Sequence, residues 1–140
     1  MPYDIQPFIG AGDICFGMTP EQVRSCLRGR YSTFKRGGST DEPSDHFESI
    51  GVIVSYKLPG LVNTIEFYTP SKPVFEGVNL LAVSFREMVD FLRTKDMKLR
   101  VEFDGVYSDE NGIAAYAPLA KDDPDSPVES VIAFEKGYYD

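Results

Sequence analysis

The sequence predicts an α+β domain in which two short helices lie on one face of a curved, mainly antiparallel sheet of about six strands. Three observations predict it. Two helix starts of the same chemistry recur 65 residues apart, at Thr19 and Ser84; segments alternating apolar and polar residues follow each; and breaker-rich stretches separate those segments. The repetition points to an internal duplication of a helix-plus-three-strands unit, over 17–70 and 82–136, inside one domain spanning 1–140.

The first helix is expected from Pro20 to about Arg28. Thr19 is a good N-cap, Pro20 stands where its missing N–H is harmless, Gln22 completes a capping box, and Met18 with Val23 supplies a hydrophobic staple. Val23, Cys26 and Leu27 make a narrow apolar stripe, and Gly29 stops the helix. The second helix, Phe85 to about Thr94, repeats the device with Ser84, Glu87, Val83 and Met88, and places Phe85, Met88, Val89 and Leu92 on one face. Isolated helices this short are marginal in water, so both must pack on something apolar.

That something reads as strands. Gly51 to Tyr56 and Leu61 to Tyr68 flank Pro59-Gly60 and should form a hairpin. Lys98 to Phe103 alternates without interruption, with Leu99, Val101 and Phe103 on its buried side. A turn near Asp104-Gly105, a strand from Gly112 to Ala117 and a strand from Val128 to Phe134 follow. Two polar, acidic stretches, Gly37 to Asp45 and Ala120 to Pro127, read as loops projecting from one edge or end of the sheet.

At 140 residues the chain can bury about two-thirds of its unfolded surface, and 42% hydrophobic with 13% aromatic residues argue against disorder. No apolar run approaches a membrane span, and the opening residues lack the pattern of a secretory leader, so a cytoplasmic location is expected. Cys15 and Cys26 are then expected as buried, unpaired thiols. The net charge of −8, with no basic cluster, argues against nucleic acid and favours a basic protein partner.

The usual catalytic patterns are missing. His46 is the only histidine, which excludes multi-histidine metal sites, and neither cysteine carries a motif suggesting an activated thiolate. Gly10-Ala-Gly12 lacks the rest of a phosphate loop, and the paired acids sit in turns, where they bond local backbone. No metal, cofactor or enzymatic activity is expected. What remains is a surface: the strand face opposite the helices carries Glu66, Tyr68, Arg100, Glu102 and Tyr116, and the second acidic loop adds Asp122, Asp123 and Asp125. Tyrosine and arginine on a rigid sheet is the composition of binding hot spots.

The pattern Gly-Met-Thr-x-x-Gln-Val-x-x-x-Leu, repeated in outline, resembles the unit of the small outer-membrane-assembly lipoproteins and of beta-lactamase inhibitory protein. Residues 7 to 19, Pro-Phe-Ile-Gly-Ala-Gly-Asp-Ile-Cys-Phe-Gly-Met-Thr, resemble the start of small bacterial immunity-type proteins of polymorphic toxin systems. Cys15 follows Gly-Asp-Ile with no apolar segment before it, unlike a lipid-attachment site, and a cysteine pair per half is lacking, unlike the inhibitor. The resemblance implies a non-catalytic protein that neutralises a toxin by stoichiometric binding. The alternative is a module binding a small molecule or peptide between sheet and helices.

Overall fold

A computed structural model describes residues 2–27, 29–35 and 42–138, and among these two α-helices and thirteen strands form an α+β architecture of two mainly antiparallel sheets. The strands β1 (Pro2–Gln6), β2 (Gly10–Ala11) and β3 (Ile14–Cys15) lead into α1 (Pro20–Cys26). After it come β4 (Ser32–Phe34), β5 (Ser44–Phe47), β6 (Val52–Lys57) and β7 (Leu61–Phe67). The strands β8 (Lys72–Phe75) and β9 (Val78–Asn79) precede α2 (Phe85–Arg93), and β10 (Arg100–Val101), β11 (Gly105–Ser108), β12 (Ile113–Tyr116) and β13 (Ser130–Phe134) follow it. No helix is long and apolar enough to cross a membrane among the described residues.

Both helices start where their caps dictate. The Gln22 N–H donates to Thr19 Oγ1 while the Thr19 N–H donates to Gln22 Oε1, and Ser84 and Glu87 repeat the exchange. α2 buries Phe85, Met88, Val89 and Leu92, as its spacing predicts. α1 ends at Cys26, earlier than expected, and buries Val23, with Leu27 buried at its C-cap. Val23 and Leu27 point at the core, which leaves Cys26 on the outer side of a two-turn helix; both cysteines are free and exposed, correcting the expectation of burial.

The larger sheet has eight strands in the order β10-β11-β12-β13-β7-β6-β5-β4, two more than expected. Four strands of this sheet follow each helix, and the last of each four pair at the centre through β7 and β13. The two unexpected strands are β5 and β11. Ser44 and Asp45 end the expected polar loop, yet Ser44–Phe47 is a strand because its Asp45 is satisfied internally; 37–41 of that loop lie outside the described residues. Gly105 to Ser108 was hidden behind a turn. The Glu102 N–H donates to Gly105 O at 2.8 Å, closing a tight turn that limits β10 to two residues. β10 is also the sheet edge, so Val101 and Phe103 are 41% and 66% exposed instead of buried.

The hairpin of β6 and β7 forms as expected, with a register shift at Ser55/Tyr56. The shift skips Asn63 and puts Val62 beside Tyr56, which is why the alternation blurs at the start of β7. Gly51 and Gly112 open β6 and β12 in the left-handed region, at φ 70° and 64°. Their carbonyls accept from the Tyr68 and Phe134 N–H at 2.9 Å each. A Cβ on either would lie 2.1 Å from Tyr68 O or 2.7 Å from Phe134 O, so glycine is required twice for one reason.

Register assigns the faces. One row reads Val101–Val106–Ala115–Val131–Phe67–Val52–Phe47, and this face is covered. Arg24 of α1 reaches it at Asp45, Asp96 just after α2 accepts from Ser108, and Tyr3 of β1 packs on Phe67 at 5.3 Å. The second sheet, ordered β3-β2-β1-β8-β9 with a parallel β1–β8 pair, was not foreseen. It adds a third cover, with Phe75 against Phe91 of α2 at 6.1 Å.

Positions matched by count from the two caps and from the strand starts carry different residues. Arg24 and Val89 lie five residues past their caps, and Asp45 and Val106 are each second in their strands, so an ion pair stands where the other run has two valines. Conversely, Tyr31, twelve residues past Thr19, meets the last residue of β5, Phe47, at 5.6 Å, whereas Asp96, twelve past Ser84, accepts from the last residue of β11, Ser108, at 2.8 Å.

Candidate functional site

The face without helices carries the neighbouring row Arg100–Tyr107–Ala114–Ile132–Glu66–Ile53–His46–Ser32. The next row adds Glu102, Gly105, Tyr116 and Ser130, with Tyr68 just past the end of β7. Five expected site residues, Glu66, Tyr68, Arg100, Glu102 and Tyr116, therefore share one face. A third row, with Phe134 and Thr64, is buried at one end of this face, where Tyr138 meets Phe134 at 6.0 Å.

The side chains are held by one another. Arg100 Nε and Nη2 donate to Asp109 at 2.9 and 3.1 Å, and its guanidinium lies 4.9 Å from the centre of the Tyr107 ring. Tyr107 leans over Gly105, within 3.7 Å of where a Cβ would stand, so the ring fills space that the glycine leaves. On the other half of the face His46 Nε2 and Tyr68 Oη are hydrogen-bonded at 2.5 Å, and Phe34, His46 and Tyr68 form an edge-to-face ladder at 6.2 and 5.8 Å. Partial burial, then the Glu48 and Glu66 carboxylates, push the Tyr68 phenol above its ordinary pKa, so it stays protonated and able to donate.

Sequence reasoning missed the centre of this face. Ile53, Ala114 and Ile132 sit between the polar groups, half-buried or buried, and Tyr107 and His46 lie beside them. Ile53, Ala114 and Ile132 alternate within expected strands, whereas Tyr107 and His46 join their row only through the unexpected β11 and β5. The arrangement is a small apolar centre bordered by Tyr, Arg, His and Glu, which suits contact with another surface. Either cysteine lies on the helix side of the molecule, so the sheet stands between it and His46; a Cys–His pair does not form.

The acidic loop goes elsewhere. The Phe85 and Arg86 N–H groups donate to Ser126 O and Pro124 O at 2.9 Å each, so 118–127 folds over the start of α2 and satisfies its first amides. Asp125 pairs with Arg86 at 2.9 Å, and Asp123 accepts from the Asp125 N–H. Asp122, Asp123 and Asp125 are thus exposed on the helix side, apart from the five residues of the open face.

A cleft of about 560 Å³ lies on the helix side, lined by Tyr3, Asp13, Ser25, Cys26 and Ile50 among others. A second, of about 360 Å³, borders the open face at Tyr31, His46 and Glu48. No family model, curated protein or solved structure matches the chain.

Proposed function

We propose that this is a non-catalytic protein-binding protein, most concretely a cytoplasmic immunity protein that neutralises a toxin by covering its active surface. The observation carrying this reading is the open face: eight hydrogen-bonded strands present Tyr116, Arg100, Tyr107, Glu66, Tyr68 and His46 around an apolar centre. A broad, preorganised sheet presents these groups with little ordering cost on binding. The net charge of −8 favours a basic partner. We also read the large sheet as a duplicated helix-plus-four-strands unit, supported by the paired capping boxes and the matched roles of Gly51 and Gly112.

Co-expression with a toxin encoded beside this chain tests the function. Restored growth and a one-to-one complex are expected, and the doubly altered face Tyr116→Ala with Glu66→Lys should weaken the complex by at least ~30-fold, the level of a hot spot. Full protection by that variant, or absence of a complex, overturns the reading. The helix-side cleft favours the second reading, a small-molecule or peptide site, and Tyr3→Ala separates the two because it alters the cleft and leaves the open face intact.

A further inference from the structure

We propose that two copies of this chain pair edge to edge through β10, antiparallel about Val101, to form one continuous sixteen-stranded sheet. β10 ends the large sheet and, among the described residues, has no strand on its outer side. Because the Glu102 N–H bonds inward to Gly105, the alternation of an antiparallel ladder turns the Arg100 backbone inward as well and points the Val101 N–H and C=O outward. A twofold axis at Val101 lets each Val101 N–H donate to the other copy's Val101 carbonyl.

The side chains select a second copy as the occupant. In Arg100-Val101-Glu102 the charges are opposite about the central valine, so the twofold sets Arg100 of each copy beside Glu102 of the other. These are cross-strand pairs of opposite sign, the arrangement that stabilises an antiparallel ladder. On the other side of the sheet Val101 meets Val101, and Phe103, 66% exposed, gains apolar cover near Leu99. Natural edges are usually guarded by like charges that repel another strand, whereas these charges become complementary on self-pairing. The opposite edge differs: Ser32-Thr33-Phe34, flanked by Arg30 and Lys35, puts no opposite charges together when paired with itself. The axis stands normal to the sheet, so both open faces stay on the same side, with Arg100 and Glu102 at the seam and the rest of each face uncovered. The strand is short, so the association is weak and falls with salt.

Sedimentation velocity from about 1 µM to 1 mM chain tests the pairing, a range that covers weak dimers. A species of twice the 15.6 kDa chain mass is expected at the upper end in low salt. Glu102→Arg and Arg100→Glu each place like charges opposite one another and should weaken it at least tenfold, while an equal mixture of the two restores the dimer. Val101→Pro removes the outward N–H without touching the ladder to β11 and should abolish the dimer, with far-UV circular dichroism checking the fold of each variant. A single-chain mass throughout, or self-association of Glu102→Arg equal to the parent, or no recovery in the mixture, overturns the proposal.

Discussion

Replacing Arg24 by valine tests how a buried charge is held on the covered face. Asp45 is fully buried and accepts from Arg24 Nε at 3.0 Å, Arg24 Nη2 at 2.8 Å and Tyr56 Oη at 2.7 Å. Arg24→Val removes the charge and two of these three bonds. Breaking a buried pair from one side costs about 3–5 kcal/mol, and the retained Tyr56 bond, with an Arg24 side chain already 32% exposed, places this case near ~3 kcal/mol. Asp45→Val is milder, about 1–2 kcal/mol, because the freed guanidinium can turn to water while the Tyr56 hydroxyl loses its acceptor. Installing both valines copies the Val89 and Val106 of the other run and leaves no buried charge, so the double variant should be no worse than about 2 kcal/mol. Urea unfolding followed by circular dichroism gives all three values. A cost below about 1 kcal/mol for Arg24→Val, or a double variant equal to the sum of the singles within ~0.5 kcal/mol, would refute the reasoning.

Other outcomes follow from the same packing. Gly51→Ala and Gly112→Ala should each lower stability by more than ~1 kcal/mol, Gly51→Ala more, because its new Cβ meets a carbonyl oxygen at 2.1 Å against 2.7 Å; equal and negligible losses in denaturant midpoints would contradict this. Thr19→Ala and Ser84→Ala should each cost about 1 kcal/mol of unfolding free energy through loss of the cap. Burial, then the hydrogen bond to Asp45, raises the Tyr56 pKa above the value of ~10 it has when unfolded. The folded state therefore favours the neutral phenol: the contribution is complete below pH ~10 and is lost as pH rises beyond it. Unfolding midpoints measured from pH 8 to 12 should fall less steeply in Tyr56→Phe, and identical slopes would exclude this phenol as the cause.

The helix starts were legible because a capping box is chemistry among neighbours: Thr19 with Gln22 and Ser84 with Glu87 need nothing from the rest of the chain. The open-face residues were legible for a similar reason, since period-two alternation places Glu66 with Tyr68 and Arg100 with Glu102 wherever the strands lie. The parallels of Gly51 with Gly112 were also readable as sequence. Their shared left-handed conformation, pressed against the carbonyls of Tyr68 and Phe134, is set by tertiary packing.

Tertiary structure decided what depends on distant partners. β5 carries a buried aspartate, which looks like loop until Arg24 and Tyr56 are brought to it. The second sheet joins β1 to β8, some seventy positions apart, through strands too short to show a period. The acidic loop carries its aspartates to the helix side because its carbonyls meet the first amides of α2. By itself the sequence determined the α+β class, the helix caps and which residues alternate onto a common strand face. The number and order of strands, the exposure of the cysteines, the apolar centre of Ile53, Ala114 and Ile132, and the edge position of Val101 were decided by long-range pairing, which no local pattern encodes.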